Sequence, residues 1–299
     1  MKAGRRFTDA TAFRQALETR LNQKAKHESL DVQRLRRQVA FDRLLCRLFS
    51  EGAAPWALKG GYAMELRIAG ARATRDIDLT LRQPMQAKGG ALTLGILKMI
   101  QTAAVRDKTD FFAFTVGEPV ADLDGAPYGG ARYPVECRMD GRIFARFHLD
   151  VGVGDAIIEP LEEVRGQAWL DFAGIPAAAF LAIPREQQFA EKLHAYTRPR
   201  GNRLNSRVRD LVDMVLLIHG GLDVVRLVVA LGKTFRHRRT HDIPGHLVPP
   251  PADWAGPFAG LAGDCGLATD IAAGFEEVAG FVASLNLKPP AQPDHPRRS

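Results

Sequence analysis

Two aspartates one residue apart, Asp76 and Asp78, stand in an alternating run, Asp76–Leu81. In a strand, side chains at i and i+2 share a face, so the two carboxylates lie side by side while Ile77, Leu79 and Leu81 point into a core. Paired carboxylates repel unless a cation sits between them, and Mg²⁺, which takes carboxylate and phosphate oxygens, is the usual answer. Upstream, the apolar run Trp56-Ala57-Leu58 ends near Gly60-Gly61, and the good helix formers Tyr62–Arg67 follow. A Gly-Gly turn feeding a helix exposes backbone N–H groups at the positive end of the helix dipole, where phosphate binds well. A phosphate seat followed by a paired-carboxylate strand is what nucleotidyl transfer from an NTP requires. The bland alternative, a tight turn beside a solvated acidic strand face, fits a lone Asp-x-Asp better than this strand–turn–helix–strand order.

Further candidates follow downstream. In Arg142–Val153, Ile143, Ala145, Phe147, Leu149 and Val151 alternate as one apolar face, and Arg146, His148 and Asp150 form the other. Asp150 is therefore a candidate third carboxylate on a neighbouring strand; the alternative is a surface aspartate at a sheet edge. His148 reads as a neighbour rather than a ligand, because Mg²⁺ prefers oxygen. Pro184 opens a helix that ends near Pro199 and carries Lys192 and Tyr196 at i and i+4. An arginine-rich loop, 200–209, with Ser206 as expected N-cap, leads into a helix ending at Gly220-Gly221. Asp210 and Asp213 lie on one face of it at i and i+3, and the plain reading of such first-turn acids is dipole stabilisation and pairing with Arg207 or Arg209.

The elements that must position these residues are strands at 56–58, 76–81, 111–116, 132–138 and 142–153, with helices at 8–28, 29–51, 62–67 and 91–105. The second helix carries Arg34, Arg36, Arg37, Arg43 and Arg47 between its apolar positions, either a solvated face or a surface for RNA. The stretch 155–179 reads as a crossing into a helical second domain, so the organisation expected is 1–165, then 166–287, then a disordered tail at 288–299. The basic segment 233–246 reads as a nucleic-acid-facing loop.

The strings LKGGYAMELR and RATRDIDL resemble the AbiEii/AbiGii-type nucleotidyltransferase toxins of the DNA polymerase β-like superfamily, and AEKLHAYTR and RVRDLVDMVLL resemble that family's later motifs. The resemblance covers about residues 55–220. It implies an α/β (α+β) fold, a polymerase β-like core with a mixed sheet plus a mostly helical C-terminal domain. It gives metal binding to Asp76 and Asp78, a base or metal-assisting role to Asp150, and the triphosphate to Gly60, Gly61, Lys192 and, less directly, Arg198. It places an active-site acid at Asp213 or Asp210, with Asp213 preferred. The activity implied is Mg²⁺-dependent transfer of an NMP from an NTP to RNA, at the tRNA 3′ end, by a toxin with a separately encoded antitoxin.

Composition agrees in broad terms. The 299 residues carry a formal net charge of +7, which suits a polyanionic partner. Three scattered cysteines argue against a zinc site or a disulfide framework. No apolar run is long enough for a membrane span, and the first residues lack a signal-peptide core, so a cytoplasmic location is expected. The competing readings are a nucleotidyltransferase that modifies a protein or a small molecule, and a non-catalytic RNA-binding protein on the same fold.

Overall fold

The computed structural model describes residues 7–51, 54–83, 85, 88–123, 125–201 and 205–287. The predicted tail at 288–299 lies outside the described residues. The chain divides into two compact units, Met1–Ala69 with Ala73–Ile183, and Gly70–Arg72 with Pro184–Ser299.

In the first unit, α1 (Ala10–Glu28) and α2 (Val32–Leu48) open the chain, each capped by an aspartate, Asp9 and Asp31, that accepts from N–H groups of its helix's first turn. Then come β1 (Trp56–Lys59), α3 (Gly60–Arg67), β2 (Asp76–Leu81), α4 (Gly89–Ala104), β3 (Phe112–Val116), β4 (Ala121–Asp122), β5 (Gly130–Met139), β6 (Arg142–Gly152), β7 (Glu162–Arg165) and β8 (Ala179–Ala182). They form one mixed sheet in the order β3-β5-β6-β2-β1-β8-β7, with β4 on β5. β2 runs antiparallel to β1 and parallel to β6. Ile77, Leu79 and Leu81 are buried, as period two requires. The same core takes Phe41 of α2, whose ring packs edge-on against Phe147 of β6 at 4.8 Å.

Three sequence expectations are corrected within this unit. The boundary placed at 165/166 falls between β7 and β8, which pair as an antiparallel hairpin, while β8 also lies parallel to β1; the division comes at Ile183/Pro184 instead. The strict alternation along β6 breaks at its start. A register shift opposite Cys137/Arg138 leaves Ile143 46% exposed and turns Phe144 into the core, as one extra residue in a ladder must. The α2 arginines do not share one face, solvated or RNA-binding: Arg43 and Arg47 turn inward and are buried on the fully buried Asp110 at 2.6 and 2.7 Å.

The second unit is helical: α5 (Arg185–Thr197), α6 (Val208–His219), α7 (Val224–Arg238), α8 (Ala255–Asp264) and α9 (Ile271–Ser284). The N-cap of α6 is Arg207, without a side-chain cap bond, rather than Ser206. α7 takes in residues 233–238, so the start of the basic segment read as a loop is helix, and Phe235 is buried against His194 and His241. Among the described residues no helix is long and apolar enough to cross a membrane.

Candidate active site

The first unit assembles a row of charged residues across four strands. Lys59 of β1 pairs in register with Asp78 of β2, Asp78 with Asp150 of β6, and Asp150 with Arg132 of β5. Directly paired residues on neighbouring strands share a face, so Asp78 and Asp150 are neighbours, and Asp76 stands two residues along the same face beside His148. The three carboxylates proposed from sequence are thus brought onto one face of one sheet. β2 is an interior strand held by ladders on both sides, so the pair is fixed by backbone rather than by side-chain packing alone.

The glycine turn meets this row. Gly60 follows β1 with φ +66, and a Cβ built on it would lie 1.9 Å from Asp78 Oδ2 and 2.7 Å from Asp78 Cβ. Only glycine lets the backbone come this close to the carboxylate at a left-handed conformation. Gly60 and Gly61 are the first two residues of α3, where helix N–H groups have no carbonyl partner within the helix.

Arg132 is a candidate site residue that sequence reasoning missed. Its Nε and Nη2 donate to both oxygens of Asp150 at 2.8 Å, and its Nη2 lies 3.5 Å from Asp76 Oδ2. The hydrogen bond to Asp150 is the main cause of a pKa held above the ordinary arginine value, with Asp76 and Asp78 adding to it. His148 Nδ1 is 3.4 Å from Asp76 Oδ1. At the row's other end Lys59 Nζ lies 2.5 Å from the buried Asp155. A signal for Arg132 existed: Asp140-Gly141, between β5 and β6, is a hairpin turn dipeptide, and counting outward from it brings residue 132 opposite 150 once one bulge residue is allowed.

Among the described residues no cluster of three or more His, Cys, Asp or Glu is arranged to hold a metal ion. Asp150 has both oxygens on Arg132, and Asp76 and Asp78, side by side on β2, are the candidate donor pair. Two carboxylates on one strand fit Mg²⁺, which binds through one or two carboxylates and completes its shell with water and phosphate oxygens.

In the second unit, Lys192, Asp210 and Asp213 are also brought together. Lys192 Nζ donates to Asp213 Oδ2 at 2.6 Å and to Asp210 Oδ1 at 3.3 Å. Asp213 is fully buried and takes a second, bidentate partner, Arg72, at 2.8 and 2.7 Å. Burial alone would raise the Asp213 carboxyl, but Lys192 and Arg72 outweigh it and hold it below the ordinary value. Burial would likewise lower the Lys192 ammonium, and Asp213 with Asp210 hold it above its usual range instead. Asp210 is the more exposed acid and also faces Arg207 at 3.6 Å. Arg198 is the exposed C-cap residue of α5.

Comparison with known proteins gives the family. Residues 43–274 match the nucleotidyl transferase AbiEii toxin family, a type IV toxin–antitoxin system, and the chain belongs to that family. It is a nucleotidyltransferase of the toxin class. The nucleotidyltransferase toxin MenT4 of Mycobacterium tuberculosis H37Rv has a similar fold, with a TM-score of 0.58 at 17% identity over 91% of this chain and 90% of that one. JHP933 from Helicobacter pylori gives a TM-score of 0.48 at 15% identity, over 85% of this chain and 94% of that one. No curated protein matches the chain by sequence.

Proposed function

We propose that this protein transfers an NMP from an NTP to the 3′ end of a tRNA in a Mg²⁺-dependent reaction, as the toxin partner of a cognate antitoxin. The observation that carries the reading is the in-register row Asp78–Asp150–Arg132, with Asp76 on the same face and Gly60 against Asp78. A row of acids kept in place beside a glycine turn has little purpose in a protein that only binds RNA.

Asp76 and Asp78 would hold the metal, which when bound neutralises phosphate charge. The N–H groups of Gly60 and Gly61 seat phosphate oxygens of the NTP. Asp150 accepts the proton of the acceptor hydroxyl, whose oxygen forms a new bond to the α-phosphorus as the bond to the β-phosphate oxygen breaks and pyrophosphate leaves. Arg132 holds Asp150 in the orientation this needs. Lys192 and Arg198 take the phosphate-binding role that the family resemblance implies, and Asp213, with Asp210 beside it, keeps Lys192 in place.

The test is a labelling assay in which purified protein, total tRNA and Mg²⁺ are incubated with each α-³²P-NTP, beside an Asp78→Ala control. Labelled tRNA that vanishes in the control is expected, and the productive nucleotide identifies the base. Label on a protein or a small molecule, with none on RNA, would overturn the acceptor, and label surviving in Asp78→Ala would overturn the site.

A further inference from the structure

We infer that a groove beside Asp76 in the first unit seats the phosphate backbone of the nucleic-acid acceptor, with Arg37 and Arg75 as its principal contacts. The inference rests on the transfer reading above and adds to it the path the acceptor takes. The groove encloses about 840 Å³ and is lined by Arg37, Arg75, Asp76, Pro134, Arg146 and His148, among others. Asp76 belongs both to the carboxylate row and to this wall, so the groove opens onto the reacting centre.

Of the five arginines on α2, Arg34 reaches Glu65, Arg36 reaches Glu18, and Arg43 and Arg47 share Asp110. Among the described residues Arg37 has no acidic partner, and its buried Nε has no hydrogen-bond partner. A buried donor left unmade costs free energy and calls for a reason. Arg75, exposed and immediately before Asp76, likewise has no acidic partner among the described residues. Arg146, held by Glu136 at 2.7 Å, lines the same groove. Two uncommitted guanidinium forks on one wall suit phosphate oxygens, which they bind bidentately.

The strand order separates this groove from the NTP seat. β5 and β6, which supply much of the lining, lie on one side of β2, and β1 with Gly60 lies on the other. In-line phosphoryl transfer places the attacking and leaving oxygens on opposite sides of phosphorus. With pyrophosphate leaving toward the Gly60 side, the attacking hydroxyl comes from the β6 side, where Asp150 and this groove are. A volume this large exceeds what one phosphate needs and fits a nucleic-acid chain.

The test compares wild type with Arg37→Gln, Arg75→Gln and the double variant. Fluorescence anisotropy reads binding of a fluorescein-labelled tRNA pool and of a labelled single-stranded RNA, at several salt concentrations and without NTP. A fluorescent NTP analogue reads the nucleotide seat. Each substitution should weaken RNA binding about three- to tenfold and flatten the plot of log Kd against log salt by about 0.7–0.9, while nucleotide affinity stays at the wild-type value. RNA bound by the double variant with the wild-type Kd and slope would overturn the groove and leave the transfer reading standing. A wild-type protein that binds no RNA while labelling another acceptor would overturn both. Nucleotide affinity lost in parallel with RNA affinity would assign these arginines to the NTP instead, and so overturn the inference.

Discussion

Replacing Gly60 by alanine isolates the contact on which the carboxylate row depends. The new Cβ would meet Asp78 Oδ2 at 1.9 Å, Cγ at 2.5 Å and Cβ at 2.7 Å. Rotating Asp78 relieves the first two at a cost of about 0.5–1.5 kcal/mol. It cannot relieve the third, because the Asp78 Cβ moves only with β2, which is laddered to β1 and β6. The left-handed φ of +66 adds about 1–2 kcal/mol for any residue with a side chain. Together these give a destabilisation of roughly 2–4 kcal/mol, or a fall in Tm of roughly 5–15 °C. Turnover in the labelling assay should fall at least about 100-fold, since the Asp78 carboxylate leaves its place. The three nearest atoms all belong to Asp78, so the cost should drop to the conformational share, about 1–2 kcal/mol, when alanine is introduced into an Asp78→Gly background. Equal costs in the two backgrounds would refute the clash, and wild-type turnover in Gly60→Ala would refute the need for Asp78 to sit where it does.

Two further outcomes are expected. Arg132→Gln removes the cation 3.5 Å from Asp76; Mn²⁺ followed by electron paramagnetic resonance should bind about three- to tenfold more tightly, a discounted surface-pair effect, while turnover falls because Asp150 loses its bidentate partner. Burial pushes the Asp42 carboxyl up to about 6, despite hydrogen bonds from Tyr62 and the Gln167 backbone. A raised carboxyl is protonated in the fold and charged in the unfolded chain between about pH 4 and 6, so its contribution is complete below the unfolded value and is lost as pH rises through 6. Denaturant titrations should show this loss, on the order of 3 kcal/mol at most, and Asp42→Asn should flatten it.

What could be read from the sequence was whatever one strand or helix carries by itself. Asp76–Leu81 appears as a strand with the predicted bounds, because a period of two needs no partner to be seen. Asp150 joined the pair because its own strand alternates. Arg132 did not, because its place depends on which residue of β6 it faces, and that follows from turn position and one bulge rather than from composition. The same limit hid β8: Ala179–Ala182 is four residues long, too short to show a period, and it is a strand because β1 and β7 flank it.

Charge was the least legible property, because it takes its meaning from partners far away in sequence. Arg43 and Arg47 lie at i and i+4 on a helix, as a solvated pair would, yet Asp110, more than sixty residues on, draws both inside. An isolated buried carboxylate would be too costly; two guanidinium groups and the N–H of Phe112 satisfy it. Lys192 repeats the case. Its motif suggested a cation offered to phosphate, and within its unit it is enclosed by Asp213 and Asp210. An ammonium held this way by two carboxylates is fixed in position and kept charged, and both properties suit a phosphate contact as well as a structural one. Arg37 and Arg75, two arginines that no acid among the described residues holds, stand out only once the partners of their neighbours are known, which is why the acceptor groove proposed above comes from the structure and not from the sequence.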